Sequence, residues 1–75
     1  MNIDTDKVDG AVLAVLYLTL HDHRRAWKGV DWDALARLHR KGFIEDPVGK
    51  QKSVVFTDDG LRKAEDCFGK LFAKR

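Results

Sequence analysis

The histidines are the residues of this sequence whose chemistry suits a metal ion, because neutral imidazole is a common zinc ligand. His21 and His23 flank Asp22, and His39 follows much later in the chain. The side chains of His21 and His23 would lie on one face only if this segment were a regular strand. Its sequence is irregular, so we expect them to point in different directions. Neither a cysteine nor a group of carboxylates stands nearby to complete a ligand set. The sequence therefore predicts no metal site and no other cofactor.

Catalytic motifs are also missing from the sequence. Cys67 is the single cysteine, and it lies far along the chain from the histidines that would have to activate its thiolate. No glycine-rich phosphate loop, serine elbow or pair of spaced carboxylates occurs. We therefore expect no catalytic residue and no enzymatic activity. A lone cysteine without a signal-peptide pattern favours the cytoplasm, where thiols stay reduced.

Basic side chains remain as candidates for a chemical role, as contacts to phosphate. The formal net charge is only +2, but the first residues are acidic and the middle of the chain is basic. Nucleic-acid binding depends on clustered positive charge more than on the total. The candidate nucleic-acid contacts are Arg24, Arg25, Lys28, Arg37, Arg40, Lys41, Lys50 and Lys52. They form a modest set, for which weak and salt-sensitive binding is expected.

The elements that position these residues must share one core, because 75 residues offer too little apolar surface for two. We therefore predict a single domain over residues 1–75. The longest apolar run, Ala11 to Leu20 with one threonine, is well short of the roughly 20 residues of a membrane-spanning helix. It is interpreted as a core helix, and no membrane contact is expected.

The first helix is predicted to begin at Asp4, Thr5 or Asp6, whose side chains can accept from free backbone N–H groups, and to end near Leu20 or His21. One apolar stripe holds Val8, Val12, Val15, Leu16 and Thr19, with Leu13, Tyr17 and Leu20 beside it. This arc is wider than one small core normally requires. Either the helix is central to the domain, or part of it faces another chain.

A second helix is predicted to begin after the cap Asp31 and to end at Gly42, which can adopt the left-handed conformation. Asp33 and Arg37 are spaced for an ion pair on its exposed side. His39 is interpreted as a partly buried helix residue. The irregular connector that precedes this helix is expected to hold one short strand, over residues 26–28, that adds to the later hairpin.

A hairpin and a third helix complete the prediction. Phe43-Ile44 and Val54-Val55-Phe56 are interpreted as its two strands, with Pro47 in the turn and Lys50 to Lys52 at the tip. Thr57 is predicted to cap the last helix. The stripe expected to be buried in that helix consists of Leu61, Ala64, Phe68, Leu71 and Phe72.

Two resemblances follow from these segments. The pattern Leu35-x-x-Leu38-x-x-x-Gly42-Phe43-Ile44, followed by Val54-Val55-Phe56-Thr57-x-x-Gly60-Leu61, resembles the recognition helix, wing and following helix of winged-helix regulators. Nearly the whole chain also looks like an uncharacterised family of short bacterial proteins that carries only a domain-of-unknown-function label. That likeness lies in Asp4-Thr5-Asp6-Lys7, Leu16-Tyr17-Leu18-Thr19-Leu20-His21-Asp22, Arg25-Ala26-Trp27-Lys28-Gly29, Asp31-Trp32-Asp33-Ala34-Leu35 and Asp46-Pro47-Val48-Gly49-Lys50.

The winged-helix resemblance implies an α+β fold of three helices and a small antiparallel β-hairpin, a reduced winged helix. It would place the helix over residues 31–41 in the major groove, with Lys50 and Lys52 on the wing against phosphates. The pattern departs from the family because only about ten irregular residues precede Asp31, too few for the usual positioning helix and its turn. Asp31 and Asp33 at the helix start would also repel phosphates.

We therefore expect a noncatalytic binding module that acts through protein–protein contacts or self-association, with an unknown protein or a second copy of the chain as partner. The candidate interface residues are Leu13, Tyr17, Trp27 and Trp32. Each tryptophan has a second interpretation, as a core residue that leaves its indole N–H at the rim. The alternative function is weak DNA binding, or a transcription-associated role, through the basic helix over residues 31–41 and the wing.

Overall fold

The computed structural model describes residues 1–29, 31–48 and 53–74. In chain order it contains α1 (Thr5–Leu18), β1 (Arg25–Trp27), α2 (Trp32–Arg40), β2 (Ser53–Val55) and α3 (Asp58–Phe72). Within the described residues, these three helices and two antiparallel strands confirm the predicted α+β class. The proposed phosphate contacts Lys50 and Lys52 lie outside the described residues.

Each helix begins where the sequence supplies a capping side chain. The side chains of Asp4, Asp31 and Thr57 accept hydrogen bonds from the backbone N–H groups of Lys7, Ala34 and Gly60, respectively. These bonds satisfy donors that the first helical turn leaves without a partner. α1 ends at Leu18, earlier than predicted, because the next two N–H groups bond three residues back instead of four.

The end of α2 is a complete left-handed stop. Gly42 has a φ of 80°, and its N–H donates to the carbonyl of His39 at 3.0 Å. The N–H of Phe43 donates to the carbonyl of Leu38, also at 3.0 Å. This pair of bonds satisfies carbonyl groups at the end of the helix and turns the chain sharply away.

Replacement of Gly42 by alanine tests this stop. A Cβ at this position would meet nothing within 4 Å, so the positive φ alone opposes the substitution. We expect Gly42→Ala to cost about 1 kcal/mol of unfolding free energy, measured by urea denaturation. Gly42→Asn should cost less, because asparagine tolerates this conformation. Equal stability of the wild type and both variants would contradict the proposed role of Gly42.

The sheet joins the predicted connector strand to the second strand of the predicted hairpin, while the first strand of that hairpin is reduced to a single bridge. β1 pairs with β2, so that Arg25 lies opposite Val55, and the strand expected over residues 26–28 is present one residue earlier. Ile44 makes only an isolated antiparallel bridge with Phe56. Phe43 cannot donate to a longer ladder because its N–H already completes the stop after α2, and Pro47 has no N–H at all.

A tight turn leads from α1 into β1. His21 and Arg25 exchange both backbone hydrogen bonds, at 2.7 and 2.9 Å. Between them Asp22 and His23 adopt positive φ angles of 51° and 67°. Such left-handed residues break any helical or strand period, which explains why the sequence of this connector shows no regular pattern.

The core corrects several positions predicted from periodicity. The buried apolar residues are Leu13, Ala14, Leu16, Ala26, Ala34, Leu35, Leu38, Ile44, Val54, Phe56 and Ala64. Leu13 is therefore a core residue and not part of an interface, while Val15 is exposed, because α1 turns the 13 and 16 positions inward. His39 is exposed and not partly buried, with its Nδ1 3.2 Å from the carbonyl oxygen of Ile44.

The start of α3 is joined to the end of α2 through Thr57. Its hydroxyl donates to the carbonyl of Gly42 at 2.6 Å and accepts from the N–H of Gly60 at 3.0 Å. Its own N–H donates to the carbonyl of Phe43. The approach is so close that a Cβ on Gly60 would lie 1.6 Å from the Phe43 carbonyl oxygen. Only glycine fits at this contact.

Candidate functional site

The most strongly organised charges in the described structure surround Asp9, which is 2% exposed in the middle of α1. The Nε–H of Arg37 donates to both carboxylate oxygens of Asp9, at 2.9 and 3.0 Å. Its Nη2 lies 2.8 Å from Oδ1 of the same carboxylate. Lys41 adds a contact of 2.7 Å from Nζ and reaches Asp6 at 3.0 Å. These ion pairs lock the start of α1 to the end of α2.

The pKa values of this cluster move in the directions that mutual stabilisation requires. Burial by itself would raise the pKa of Asp9, but hydrogen bonds from Arg37 and Lys41 outweigh it and lower the pKa below its ordinary value. Hydrogen bonding to Asp9 raises the pKa of Arg37, and bonding to Asp9 and then Asp6 raises the pKa of Lys41. All three groups are therefore charged at neutral pH.

This cluster changes the interpretation of the basic residues. The ion pair of Arg37 is with Asp9 and not with Asp33 as predicted, and Lys41 is bound to the same carboxylate. Two of the candidate phosphate contacts, Arg37 on α2 and Lys41 just past its end, thus form ion pairs with Asp9. Of the basic residues on that helix, Arg40 is exposed and makes no ion pair with another described residue.

The basic residues of the connector are also partly engaged. Arg24 pairs with Asp58 at the start of α3, and Lys28 Nζ donates to the carbonyl of Pro47 at 3.0 Å. Arg25 is exposed on β1 and has no ion-pair partner within the described residues. Two of these three connector cations are therefore bound to other described segments.

The histidines and the cysteine do not converge either. His21 Nε2 lies 3.4 Å from the hydroxyl of Ser53, and Cys67 is half-buried against α1 near Gly10. Across the residues that the structure describes, no group of three histidine, cysteine or acidic side chains is placed to hold a metal ion.

Apolar side chains are left uncovered where the ends of α1 and α3 meet. Tyr17 contacts Phe68 with ring centroids 5.2 Å apart, and Phe68 contacts Phe72 at 5.4 Å. Beyond these contacts, Leu71 and Phe72 are 55% and 49% exposed. Both were predicted to be buried, so this part of the predicted stripe is wrong.

Two further apolar residues lie at the same end of α1. Leu18 is 67% exposed, and Trp27 is 60% exposed, with its backbone N–H donating to the Thr19 hydroxyl at 3.0 Å. We call the group of Leu18, Trp27, Leu71 and Phe72 the apolar end surface. Its members come from three segments of the chain: α1, β1 and α3.

The predicted interface residues thus have different outcomes. Leu13 is in the core, as described above, and Tyr17 is half-buried against Phe68. Trp27 is exposed, and so is Trp32, at 51%, in the first turn of α2. The interpretation of the tryptophans as core residues is therefore wrong. Periodicity could not identify the apolar end surface, because the stripe of α3 has the same spacing where it is buried and where it is not.

In the part of the chain that the structure describes, none of the helices combines the length and the apolar character needed to cross a lipid bilayer.

The comparisons with known proteins agree with the family resemblance. A protein of Sinorhizobium fredii (strain NBRC 101917 / NGR234), called "Uncharacterized protein y4hR", is 58% identical over 74 residues, which are 99% of this chain and 100% of that protein. No solved structure matches the chain significantly. The winged-helix resemblance therefore stays a prediction.

A family model described as "Domain of unknown function (DUF6429)" matches residues 4–74. The match takes in every helix and strand of the described structure, from the cap of α1 to the end of α3. It also includes the Asp9 cluster and the apolar end surface. The chain belongs to the DUF6429 family.

Proposed function

We propose that this chain is a noncatalytic, cytoplasmic binding module that contacts another protein chain through the apolar end surface. The observation that carries the proposal is that the apolar stripe of α3 continues past the core to Leu71 and Phe72, which are 55% and 49% exposed although Phe72 contacts Phe68. Leu18 and Trp27, at the end of α1, are 67% and 60% exposed. A partner chain that covers these side chains would remove their apolar area from water.

Energetics support this assignment. Burial of one leucine or phenylalanine side chain contributes about 1.5–3 kcal/mol relative to leaving it in water. A domain of this size cannot easily forgo several such contributions, since small cores are only marginally stable. Tryptophan and phenylalanine are also common among the residues that dominate binding energy at protein interfaces.

The electrostatic arrangement favours protein contact over DNA binding. Arg37 and Lys41 form ion pairs with Asp9, and Arg24 forms one with Asp58. Phosphate contacts at these three residues would have to compete with the ion pairs, which reduces the electrostatic gain that they could give. DNA binding therefore becomes an outcome for the test to exclude.

The test compares protein capture by two variants of the tagged chain in lysate from the source cell. The double variant Leu71→Ser/Phe72→Ser removes apolar area from the end surface, whereas Val48→Ser makes a matched change at an exposed residue elsewhere. We expect the wild type and Val48→Ser to retain the same protein, and the double variant to lose it. Thermal melts confirm that all three are folded.

Two results would overturn the proposal. One is identical capture by the wild type and the double variant. The other is retention of nucleic acid alone, with NMR amide shifts at Arg25 and Arg40 that appear on addition of an unrelated DNA duplex at low salt and vanish near physiological salt. That second result would favour the DNA-binding alternative.

A further inference from the structure

A cleft lies beside the Asp9 cluster, between α1, the segment that follows α2 and the first half of α3. Its volume is about 360 Å³. The apolar part of its wall consists of Gly10, Leu13 and Phe43, and charged side chains form the rest. Ligand sites in proteins are clefts of roughly this size that combine apolar walls with a few polar groups, often between helices.

Gly10 leaves part of this space open. It lies in the interior of α1, where glycine makes a helix less stable than alanine does. Packing does not require glycine here, because a Cβ would lie 3.6 Å from Sγ of Cys67, an ordinary van der Waals distance. The fold therefore does not explain this loss of helix stability, whereas room for a ligand against the backbone would account for it.

The charged side chains around the cleft carry one surplus positive charge. Arg37 and Lys41 bind the carboxylate of Asp9, and Lys41 also binds Asp6. Lys63 lines the cleft, is exposed, and forms no ion pair with another described residue. Two of the three cations are thus matched by the two carboxylates, and the ammonium group of Lys63 is left for an anion from outside the chain.

The size of this surplus limits the class of ligand. A ligand with one negative charge would balance Lys63, and a carboxylate accepts strong hydrogen bonds from an ammonium group. A doubly charged phosphate ester would bring a second negative charge close to Asp6 and Asp9, which repel it. The apolar part of the wall favours a hydrocarbon or aromatic body over a polar one. Small apolar monocarboxylates have both features.

We propose that the cleft between α1 and α3 binds a small apolar molecule that carries a single carboxylate. The body of the ligand packs against Gly10, Leu13 and Phe43, and its carboxylate accepts hydrogen bonds from Lys63. The cleft shares no residue with the apolar end surface, so this inference goes beyond the proposed function and does not depend on it.

An NMR titration with phenylacetate tests the proposal, with phenylacetamide as the uncharged probe of the same shape. We expect saturable amide shifts at Gly10, Leu13, Phe43 and Lys63, with a Kd of about 1 mM for a probe of this size. Phenylacetamide should bind more weakly, and the amide of Trp32 at the far end of α2 should not shift. The absence of saturable shifts at the cleft up to about 10 mM phenylacetate, or equal affinity for the two probes, would overturn the proposal.

Gly10→Ala tests the role of the glycine. The added methyl group should raise the urea concentration at the midpoint of unfolding, because alanine favours the helix, and should weaken phenylacetate binding about tenfold. Gly69→Ala is the matched control in α3, where a Cβ meets nothing within 4 Å. It should also raise the midpoint but leave binding unchanged. Binding to Gly10→Ala that is as tight as to the wild type would count against the site.

Lys63→Gln tests the contact to the carboxylate. We expect phenylacetate binding to weaken by up to about fivefold, as for the loss of an exposed ion pair, and phenylacetamide binding to stay the same. Lys70→Gln is the control on the same helix, at a lysine that pairs with Asp66 and lies outside the cleft. It should bind both probes like the wild type. If Lys63→Gln loses affinity for the acid and the amide equally, Lys63 does not bind the carboxylate and the proposal is wrong.

Discussion

Gly60→Ala is expected to remove a large part of the stability of the protein. The added Cβ would lie 1.6 Å from the carbonyl oxygen of Phe43, and the contact is with backbone that has no rotamer to change. α3 would have to move away, which breaks the hydrogen bonds that Thr57 donates to the carbonyls of Gly42 and Phe43. We expect a loss of at least about 4 kcal/mol, against a total of roughly 4–11 kcal/mol for a domain of 75 residues.

Gly69→Ala is the matched control, since it is the same substitution in the same helix. Its Cβ would meet nothing within 4 Å, so only the gain in helix propensity remains. We expect it to stabilise the protein by about 0.5–1 kcal/mol. Circular dichroism during urea unfolding measures both variants. If Gly60→Ala unfolds at the same urea concentration as Gly69→Ala, the close approach of α3 to Phe43 is not present in solution.

Local signals were sufficient to predict the helices. Asp4, Asp31 and Thr57 identify the starts of α1, α2 and α3, because a capping side chain acts on backbone within one turn of itself. Gly42 identifies the end of α2 for the same reason. Such contacts involve neighbours in sequence, so the sequence displays both partners side by side.

Strand pairing and exposure depend on distant residues and were predicted less well. The sequence indicated a hairpin between Phe43-Ile44 and the strand near Val54, with the connector strand added to it. The connector strand β1 does pair with β2, but Ile44 makes only an isolated bridge with Phe56. The N–H of Phe43 donates to the carbonyl of Leu38 in the stop after α2 and so is not free for a strand partner, which a strand pattern does not reveal. The exposure of Leu71 and Phe72 likewise depends on what packs around the end of α3, and their spacing on the helix carries no information about that.

The Asp9 cluster was also missed, although one signal for it is present. Asp9 stands four and seven residues before Leu13 and Leu16, on the face of α1 that is buried. A carboxylate in a buried stripe requires a cationic partner, because an unpaired buried charge is very costly. The sequence does not say which of its many basic residues provides that partner. Arg37 and Lys41 were instead interpreted as exposed contacts for phosphate.

The Asp9→Asn variant is expected to show the second large effect. Loss of the carboxylate charge leaves Arg37 and Lys41 close together without the anion that holds them. We expect a loss of about 2–3 kcal/mol, less than for a fully buried ion pair because both cations can extend toward water. Asp6→Asn is the control. It also removes a partner of Lys41, but Asp6 is exposed, so the change should cost less than about 1 kcal/mol.

The effect of pH separates a charge interaction from a packing defect at Asp9. Because the pKa of Asp9 is lower in the folded protein than its ordinary value of 3.8, its contribution is complete above that pH and declines as the pH falls toward the folded pKa. The raised pKa of Lys41 preserves the contribution up to its ordinary value of 10.5, beyond which it declines as the pH rises through the folded pKa. The stability difference between wild type and Asp9→Asn should therefore be flat near neutrality and shrink in acid. A difference that is unchanged in strong acid would show that Asp9→Asn acts through packing and not through charge.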